Sequence, residues 1–380
     1  MAAAPLAFPL DGAKLPYTDA RGHGWEDESR FSIKVPEGNY RVTLTFPGGP
    51  ATTVKAEARR LMIENLRTRP GSAETRSFIV NVRTPLLAAP PENAPGGKSV
   101  RLKPREIGSA TWDDRLTLEF LGERPRVVGV AVEPVDVPTI YLAGDSTVTD
   151  QRDEPAASWG QMLTRFFGPT VAVANHAESG ETLKSFIAEL RLDKTLSRMK
   201  PGDWLLIQFG HNDQKQQWPQ TYADSATTYR AYLKAYIAEA RLRGATPILV
   251  TSPERRNFDT AGRIVPSLAG YPEAVRAVAR EERVPLIDLT PMTIAFYEAL
   301  GRQRAALAFN DGGRDKTHHN NYGAYELARM VAAGIARADP KLAAHLVPEA
   351  RAYDPARPSP PEAFALPESG SRSATRPDGS

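Results

Sequence analysis

Five residues in four short segments have the types and spacing of an acyl-transfer centre. Ser146 lies in "GDS", where the apolar run "TIYLA" ends abruptly. A serine on a tight turn after a strand is well placed to attack, but a hydroxyl is a weak nucleophile near neutral pH and needs a base. Histidine is the side chain whose ordinary pKa suits that task. A carboxylate beside it fixes the imidazole tautomer and stabilises the imidazolium. "DKTHHN" supplies both, with Asp315 three residues before His318. The oxyanion of such a reaction also needs hydrogen-bond donors aimed at it. The backbone N–H of Ser146, the backbone N–H of Gly180 in "NHAESGE" and the side-chain amide of Asn212 in "FGHND" offer three. Taken alone, "GDS" reads more simply as a helix cap. The four segments together carry the chemistry.

These residues meet only if the chain between them folds in a particular way. "TIYLA", "PTVAVAN", "DWLLIQFG", "ATPILVTS" and "VPLIDLT" are apolar runs bounded by turn residues, with helical stripes between them. In "YADSATTYRAYLKAYIAEARLRG", Tyr229, Leu233, Tyr236, Ile237 and Ala240 share one face, and Gly244 marks the stop. This alternation predicts a parallel sheet with helices on both faces, which binds ligands beyond the carboxyl ends of its strands. The α/β domain is expected over residues 137–352. Residues 25–136 read as an all-β sandwich, since "NYRVTLTF", "RSFIVNVR" and "RLTLEFLG" alternate apolar and polar residues between turn clusters. Its aromatics Tyr40, Phe46, Phe78, Trp112 and Phe120 read mostly as core. Residues 1–24 form a leading segment, and 353–380, rich in Pro, Ser and Gly, read as a disordered tail.

The order of Ser146, Gly180, Asn212 and His318 resembles the four blocks of the SGNH, or GDSL-type, hydrolase superfamily, with Asp315 at the position of its triad acid. More narrowly, "GDSTV", "QFGHND" and "DKTHHNNYGA" are similar to the rhamnogalacturonan acetylesterases of carbohydrate esterase family twelve. The resemblance runs from about Pro138 to Ala338. The preceding β-region is similar to the galactose-binding-like domain of some bacterial members. The resemblance implies a three-layer α/β/α, flavodoxin-like fold. It implies Ser146 as nucleophile, His318 as base, Asp315 as orienting acid, and an oxyanion hole of Ser146, Gly180 and Asn212. It implies release of acetyl groups from a pectic backbone with no metal and no cofactor. Glu181 departs from the basic or small polar residue expected after the second-block glycine, which bears on how the cleft meets uronate carboxylates.

Several neighbours are candidates for substrate contact. His211 lies in the third block, and Glu178 and His176 lie in the second-block loop. Arg255 and Arg256 follow "PILVTSP" and could pair with uronates, while Trp218 and Tyr222 could stack on sugar rings. Each has a plainer reading as a packed histidine, a solvated loop charge or a core aromatic. Asp145 and Asp213 are expected to bond local amides, and His319 to point away from His318. A metal site at these histidines is not expected, because ligands do not converge from several places.

Composition narrows the classes. Apolar content of 41% and charged content of 24% are those of ordinary globular proteins. The formal charge is +3 with no basic block, so nucleic acid is not implied. The absence of cysteine excludes disulfides, thiolate metal sites and a cysteine nucleophile. No run approaches the ~20 apolar residues that span a bilayer. "MAAAPLAFPLDGAK" lacks the layout of a signal peptide, which leaves export after signal removal and the cytoplasm both open. The expected partner is an acetylated polysaccharide or oligosaccharide. Acetylated xylan or another small ester would suit the same machinery. The reading from another class is a non-catalytic carbohydrate-binding protein, against which the intact Ser, Gly, Asn, Asp and His set argues.

Overall fold

The computed structural model describes residues 5–69, 71–88 and 96–378. The remaining positions of the expected leading segment, sandwich and tail lie outside the described residues. The strands before the α/β region are β1 (Leu6–Pro9), β2 (His23–Trp25), β3 (Arg30–Lys34), β4 (Gly38–Phe46), β5 (Gly49–Ala56), β6 (Arg60–Thr68), β7 (Glu74–Val82), β8 (Arg115–Leu121) and β9 (Gly129–Pro134). They form two sheets, ordered β1-β9-β4-β7 and β2-β3-β8-β5-β6, and every pairing within them is antiparallel. Alternation along β4 turns Tyr40, Val42, Leu44 and Phe46 inward onto Val54, Leu116, Leu118, Val130 and Val132 of neighbouring strands. Phe78 and Phe120 join this core.

Two expectations change here. The described part of the expected leading segment, from residue 5 on, is not separate, because β1 pairs with β9 from Leu6↔Val132 to Pro9↔Gly129 and β2 pairs with β3. Trp112 is not in the sandwich core. It lies edge-on to His176 of the α/β region, ring centroids 5.8 Å apart, and the Arg83 guanidinium lies over its ring at 4.8 Å from the centroid.

The α/β region contains β10 (Thr139–Gly144), β11 (Ala172–Asn175), β12 (Trp204–Gln208), β13 (Thr246–Val250) and β14 (Leu286–Ile287) in the order β11-β10-β12-β13-β14, all parallel. Counted within the sheet this is 2-1-3-4-5, the flavodoxin-like order whose switch point lies beside the first strand. The helices are α1 (Trp159–Leu163), α2 (Leu183–Ala188), α3 (Arg191–Arg198), α4 (Thr228–Leu242), α5 (Tyr271–Glu282), α6 (Leu289–Ala305), α7 (Asn321–Ala338) and α8 (Pro340–Ala343). Successive strand residues serve opposite faces. Ile140 and Leu142 pack with α1, α6 and α7 on one side, and Tyr141 and Ala143 pack with α2 to α5 on the other. The result is a three-layer α/β/α domain preceded by an antiparallel β-domain.

Buried charge joins the two parts. Arg60 pairs with Asp150 at 2.7 Å, and Arg59 and Lys55 reach Glu154 at 2.6 and 3.3 Å. Lys194 pairs with Glu37 at 2.6 Å, and Arg191 holds Glu106 through two bonds of 3.0 and 2.5 Å. Removing one partner from such a pair strands the other charge away from water, at about 3–5 kcal/mol.

Residues 355–378 are not the disordered tail that composition predicts. Phe364 and Leu366 pack on the core around α7, and the Tyr322 hydroxyl donates to Ser359 O at 2.6 Å. Ser369 is buried, donates to Glu119 Oε2 at 2.6 Å and accepts from Lys55 Nζ at 2.9 Å. Full burial of an aromatic or aliphatic side chain contributes roughly 1.5–3 kcal/mol, and Phe364 and Leu366, partly buried, each contribute a share of that. The segment ends as a strap beside the carboxyl ends of the parallel strands, where Arg376 pairs with Asp311 at 2.8 Å.

Glu57, between β5 and β6, gives the fold a pH dependence. Burial pushes its carboxyl up to about 8, with Asp113 adding to the effect against the pull of Arg60. A folded-state pKa above the usual 4.5 means that stability is fully present below that value and is lost as pH rises towards about 8. The melting temperature of wild type is expected to fall across this window. Glu57→Gln keeps an oxygen for the Thr117 N–H, now 3.0 Å from Glu57 Oε1, and should flatten the fall. An unchanged slope in a thermal scan series would remove Glu57 from the account.

Candidate active site

β10 ends at Gly144 because the chain must turn back sharply. A Cβ on Gly144 would lie 2.5 Å from Val148 Cγ2 and 3.0 Å from Gln208 O. Asp145 organises the turn that follows. Its Oδ1 accepts the Thr147 N–H at 2.9 Å and the Thr147 hydroxyl at 2.8 Å, and its backbone carbonyl accepts from Val148 N at 3.0 Å. Ser146 sits on this turn with its carbonyl held by Gln151 Nε2 at 2.8 Å and Ser158 Oγ at 2.7 Å. Arg59 of the β-domain in turn donates to Gln151 O at 3.1 Å.

Asp315 and His318 reach the serine from the loop before α7. His318 Nε2 lies 2.8 Å from Ser146 Oγ, and His318 Nδ1 lies 2.9 Å from Asp315 Oδ2. The other carboxylate oxygen, Oδ1, accepts the N–H groups of Thr317 and His318 at 2.8 and 3.0 Å. Burial alone would raise the Asp315 pKa, but the imidazole and these N–H groups hold it well below the usual carboxylate range. All three side chains are buried.

The rest of "DKTHHNNYGA" fixes this loop. Asn320 caps α7 by accepting the Gly323 N–H at 3.1 Å. A Cβ on Gly323 would meet Ala308 O at 2.1 Å and His319 Cδ2 at 2.8 Å. Gly323→Ala must therefore move α7 or the loop that carries His318. We expect a loss of about 1–3 kcal/mol in stability together with a reduced kcat. A variant with wild-type melting temperature and turnover would contradict this.

Gly180 has φ of +81°, in the left-handed region that favours glycine. Among the described residues, neither its N–H nor that of Ser146 makes a hydrogen bond to another protein group. Asn212 is buried, and one of its two side-chain N–H bonds goes to Glu181 O at 3.0 Å.

Several neighbours are placed differently from their expected substrate contacts. His211 Nε2 lies 2.9 Å from Pro253 O, and its Nδ1 faces Asp145 Oδ2 at 3.5 Å, so both ring nitrogens look into the protein. His176 is packed between Trp112 and Tyr141, and burial holds its pKa well below the ordinary value. Arg255 turns to Ser267 Oγ at 3.2 Å and His211 O at 3.4 Å. Arg256 donates to Gly313 O and lies over Phe309. In each case the side chain finds its partner within the protein.

The remaining candidates are placed as follows. Asp213 accepts the Leu183 N–H at 2.9 Å and is pushed up to about 7 by burial and by Asp145. His319 faces Tyr297, Nε2 to hydroxyl 2.8 Å, and burial with the neighbouring His318 brings its pKa down to about 3. Trp218 is 40% exposed and borders an opening that Gly180 and Lys103 also line. Glu178 lines the adjoining hollow. Burial and the Glu106 carboxylate push it up to about 7, against Arg105. Glu181 is wholly buried, ion-paired with Lys103 and bonded by Ser185 Oγ at 2.6 Å.

Lys103 and Arg105, both from the β-domain side, were not among the sequence candidates. Lys103 Nζ donates to Ser179 O at 2.8 Å, and Arg105 Nη2 donates to the same oxygen at 2.6 Å. The only sequence signal was the charged run "KPRE" in a stretch without periodicity.

Comparison with known proteins places this arrangement. The model of the GDSL-like Lipase/Acylhydrolase family matches residues 142–327. The chain is 41% identical over 221 residues to rhamnogalacturonan acetylesterase RhgT of Bacillus subtilis (strain 168), covering 55% of this chain and 94% of that protein. It is 26% identical over 332 residues to the uncharacterized esterase YxiM of the same organism, covering 86% of this chain and 79% of that one. The crystal structure of the YxiM protein superimposes with a TM-score of 0.51 at 25% identity, covering 82% of this chain and 81% of the other. YxiM therefore aligns beyond the α/β region, whereas RhgT corresponds to about half of this chain. The chain thus belongs to the GDSL-type, SGNH hydrolase family, in its rhamnogalacturonan acetylesterase-like branch, and is a carboxylic ester hydrolase.

Proposed function

We propose that this protein removes acetyl groups from acetylated pectic rhamnogalacturonan through a Ser-His-Asp acyl-enzyme mechanism. The observation that carries the mechanism is the row from Ser146 Oγ to His318 Nε2 at 2.8 Å and from His318 Nδ1 to Asp315 at 2.9 Å. His318 takes the Ser146 proton as Oγ attacks the acetyl carbonyl carbon. The carbonyl π electrons move to oxygen, where the N–H groups of Ser146 and Gly180 and the second N–H of Asn212 receive the charge. Collapse breaks the bond to the sugar oxygen, and His318 returns its proton to that leaving group. Water then loses a proton to His318 and attacks the acetyl-serine, releasing acetate and restoring the hydroxyl. Asp315, ionised throughout, keeps the Nδ1–H of His318 turned towards itself and Nε2 towards the serine.

The substrate part draws on the rhamnogalacturonan acetylesterase relatives and on the character of the mouth. Arg105, Arg152, Asp153, Glu178 and Asp378 line the hollow next to Gly180, which suits a polar polymer better than a long acyl chain. Acetate release from acetylated rhamnogalacturonan, with acetylated xylan alongside, is the test. Faster release from the pectic polymer supports the reading. Release from xylan alone keeps the ester chemistry and removes the pectic assignment.

A further inference from the structure

The mouth of the site holds a carboxylate of the protein's own. Arg105 is fixed from behind, with Nε donating to Glu178 Oε1 at 2.9 Å and Nη2 to Ser179 O at 2.6 Å. Its remaining nitrogen, Nη1, turns outward and pairs with the Asp378 carboxylate at the end of the C-terminal strap. A Cβ on Gly180 would lie 3.4 Å from Asp378 Cβ, so the root of this side chain sits against the glycine that we assign to the oxyanion hole. Residues 375–378 line both the cavity of about 220 Å³ beside Arg105 and the neighbouring opening that Trp218 borders.

The pair between Arg105 and Asp378 is itself a light hold. Arg105 and Asp378 are 35% and 62% exposed, and exposed ion pairs contribute only ~0–1 kcal/mol. A polymer chain bearing carboxylates can therefore displace it. Arg255 and Arg256 are spent on loop partners, and Lys103 is paired with Glu181. Arg105 differs in keeping one guanidinium nitrogen, Nη1, turned to the opening and already oriented by two bonds, which offers a charge-assisted hydrogen bond to a carboxylate.

We propose that Arg105 binds a uronate carboxylate of the polysaccharide next to the ester being cleaved, and that Asp378 occupies this position when no substrate is bound. The β-domain thereby supplies a specificity residue to the cleft, and the strap competes with substrate for it. This rests on the esterase reading above, since it assigns recognition at that same site.

Isothermal titration calorimetry separates the two claims, because it reads binding without turnover. Deacetylated rhamnogalacturonan oligosaccharides would be titrated into wild type, Arg105→Gln, Arg105→Lys and Asp378→Asn, with neutral xylo-oligosaccharides of equal length as the control. The expected result is binding of the uronate oligosaccharides to wild type, weakened about tenfold in Arg105→Gln, or ~1.4 kcal/mol. Arg105→Lys should recover part of the loss. Asp378→Asn should tighten binding about threefold by weakening the internal competitor. Should Arg105→Gln fail to fold, Asp378→Asn carries the test at an exposed position. No binding to wild type, equal binding of the neutral oligosaccharides, or affinities unmoved by both substitutions would overturn the proposal. Arg105-dependent binding without acetate release from the pectic polymer would instead keep the subsite and sink the proposed substrate.

Discussion

Ser146→Ala should lower kcat on any ester substrate by ~10⁴–10⁶-fold, leaving the melting temperature close to that of wild type. The size follows from what is lost. Without Oγ there is no covalent acceptor for the acyl group, and His318 faces a methyl group in place of the hydroxyl now 2.8 Å away. What remains is water attack aided by the proposed oxyanion donors, which survive because two of them are backbone N–H groups and the third belongs to Asn212. The fold should tolerate the change because the turn is held by Asp145 and by bonds from Gln151 and Ser158 to the Ser146 carbonyl, not by the hydroxyl. The measurement is kcat on an aryl acetate and on an acetylated polysaccharide, with a thermal scan of both proteins. A variant that keeps more than about a tenth of wild-type turnover would remove Ser146 as the nucleophile.

Asp315→Asn should cost ~10⁴-fold in kcat with little change in KM. An asparagine oxygen can still accept the N–H groups of Thr317 and His318, which now meet Oδ1 at 2.8 and 3.0 Å, so the loop keeps its shape. At the other position, however, the amide NH₂ donates to His318 Nδ1. That leaves the ring proton on Nε2, pointing at Ser146 Oγ, where it cannot accept the serine proton. The imidazolium that forms during attack also loses its counter-charge. A structural role alone would show instead as a lowered melting temperature with kcat recovering at reduced temperature. The split between an unmoved Tm and a collapsed kcat is therefore the informative reading.

The groups proposed to react stand out in the sequence because chemistry restricts their identity. Only a few side chains act as nucleophile, base and orienting acid, and Ser146, Asp315 and His318 stand in segments that also show why a strand must stop or a helix must start. Gly144 and Gly323 are examples, each required by an approach too close for a Cβ. The sheet was legible for a similar reason, since "TIYLA" and "WLLIQ" are buried on both faces and leave few other folds open. The proposed recognition surface was not. His211, Arg255 and Arg256 lie at the right ends of strands, but position along a chain does not say which way a side chain turns, and these turn to Pro253, Ser267 and Gly313. Arg105 lies in a stretch without periodicity and meets Glu178 across 73 residues of sequence. The strap was misread because composition averages over a segment, whereas Phe364, Leu366 and Ser369 act as single anchors in it.

The central claim is that an acyl group passes through Ser146. Mixing the enzyme with an aryl acetate, quenching in acid within the first turnover and mapping peptides by mass spectrometry tests it most directly. The account predicts one acetyl group on the peptide carrying Ser146, absent after full turnover and absent from Ser146→Ala. Acetylation of a different residue that keeps pace with turnover, or turnover with a burst of product and no acetyl on Ser146, would contradict it.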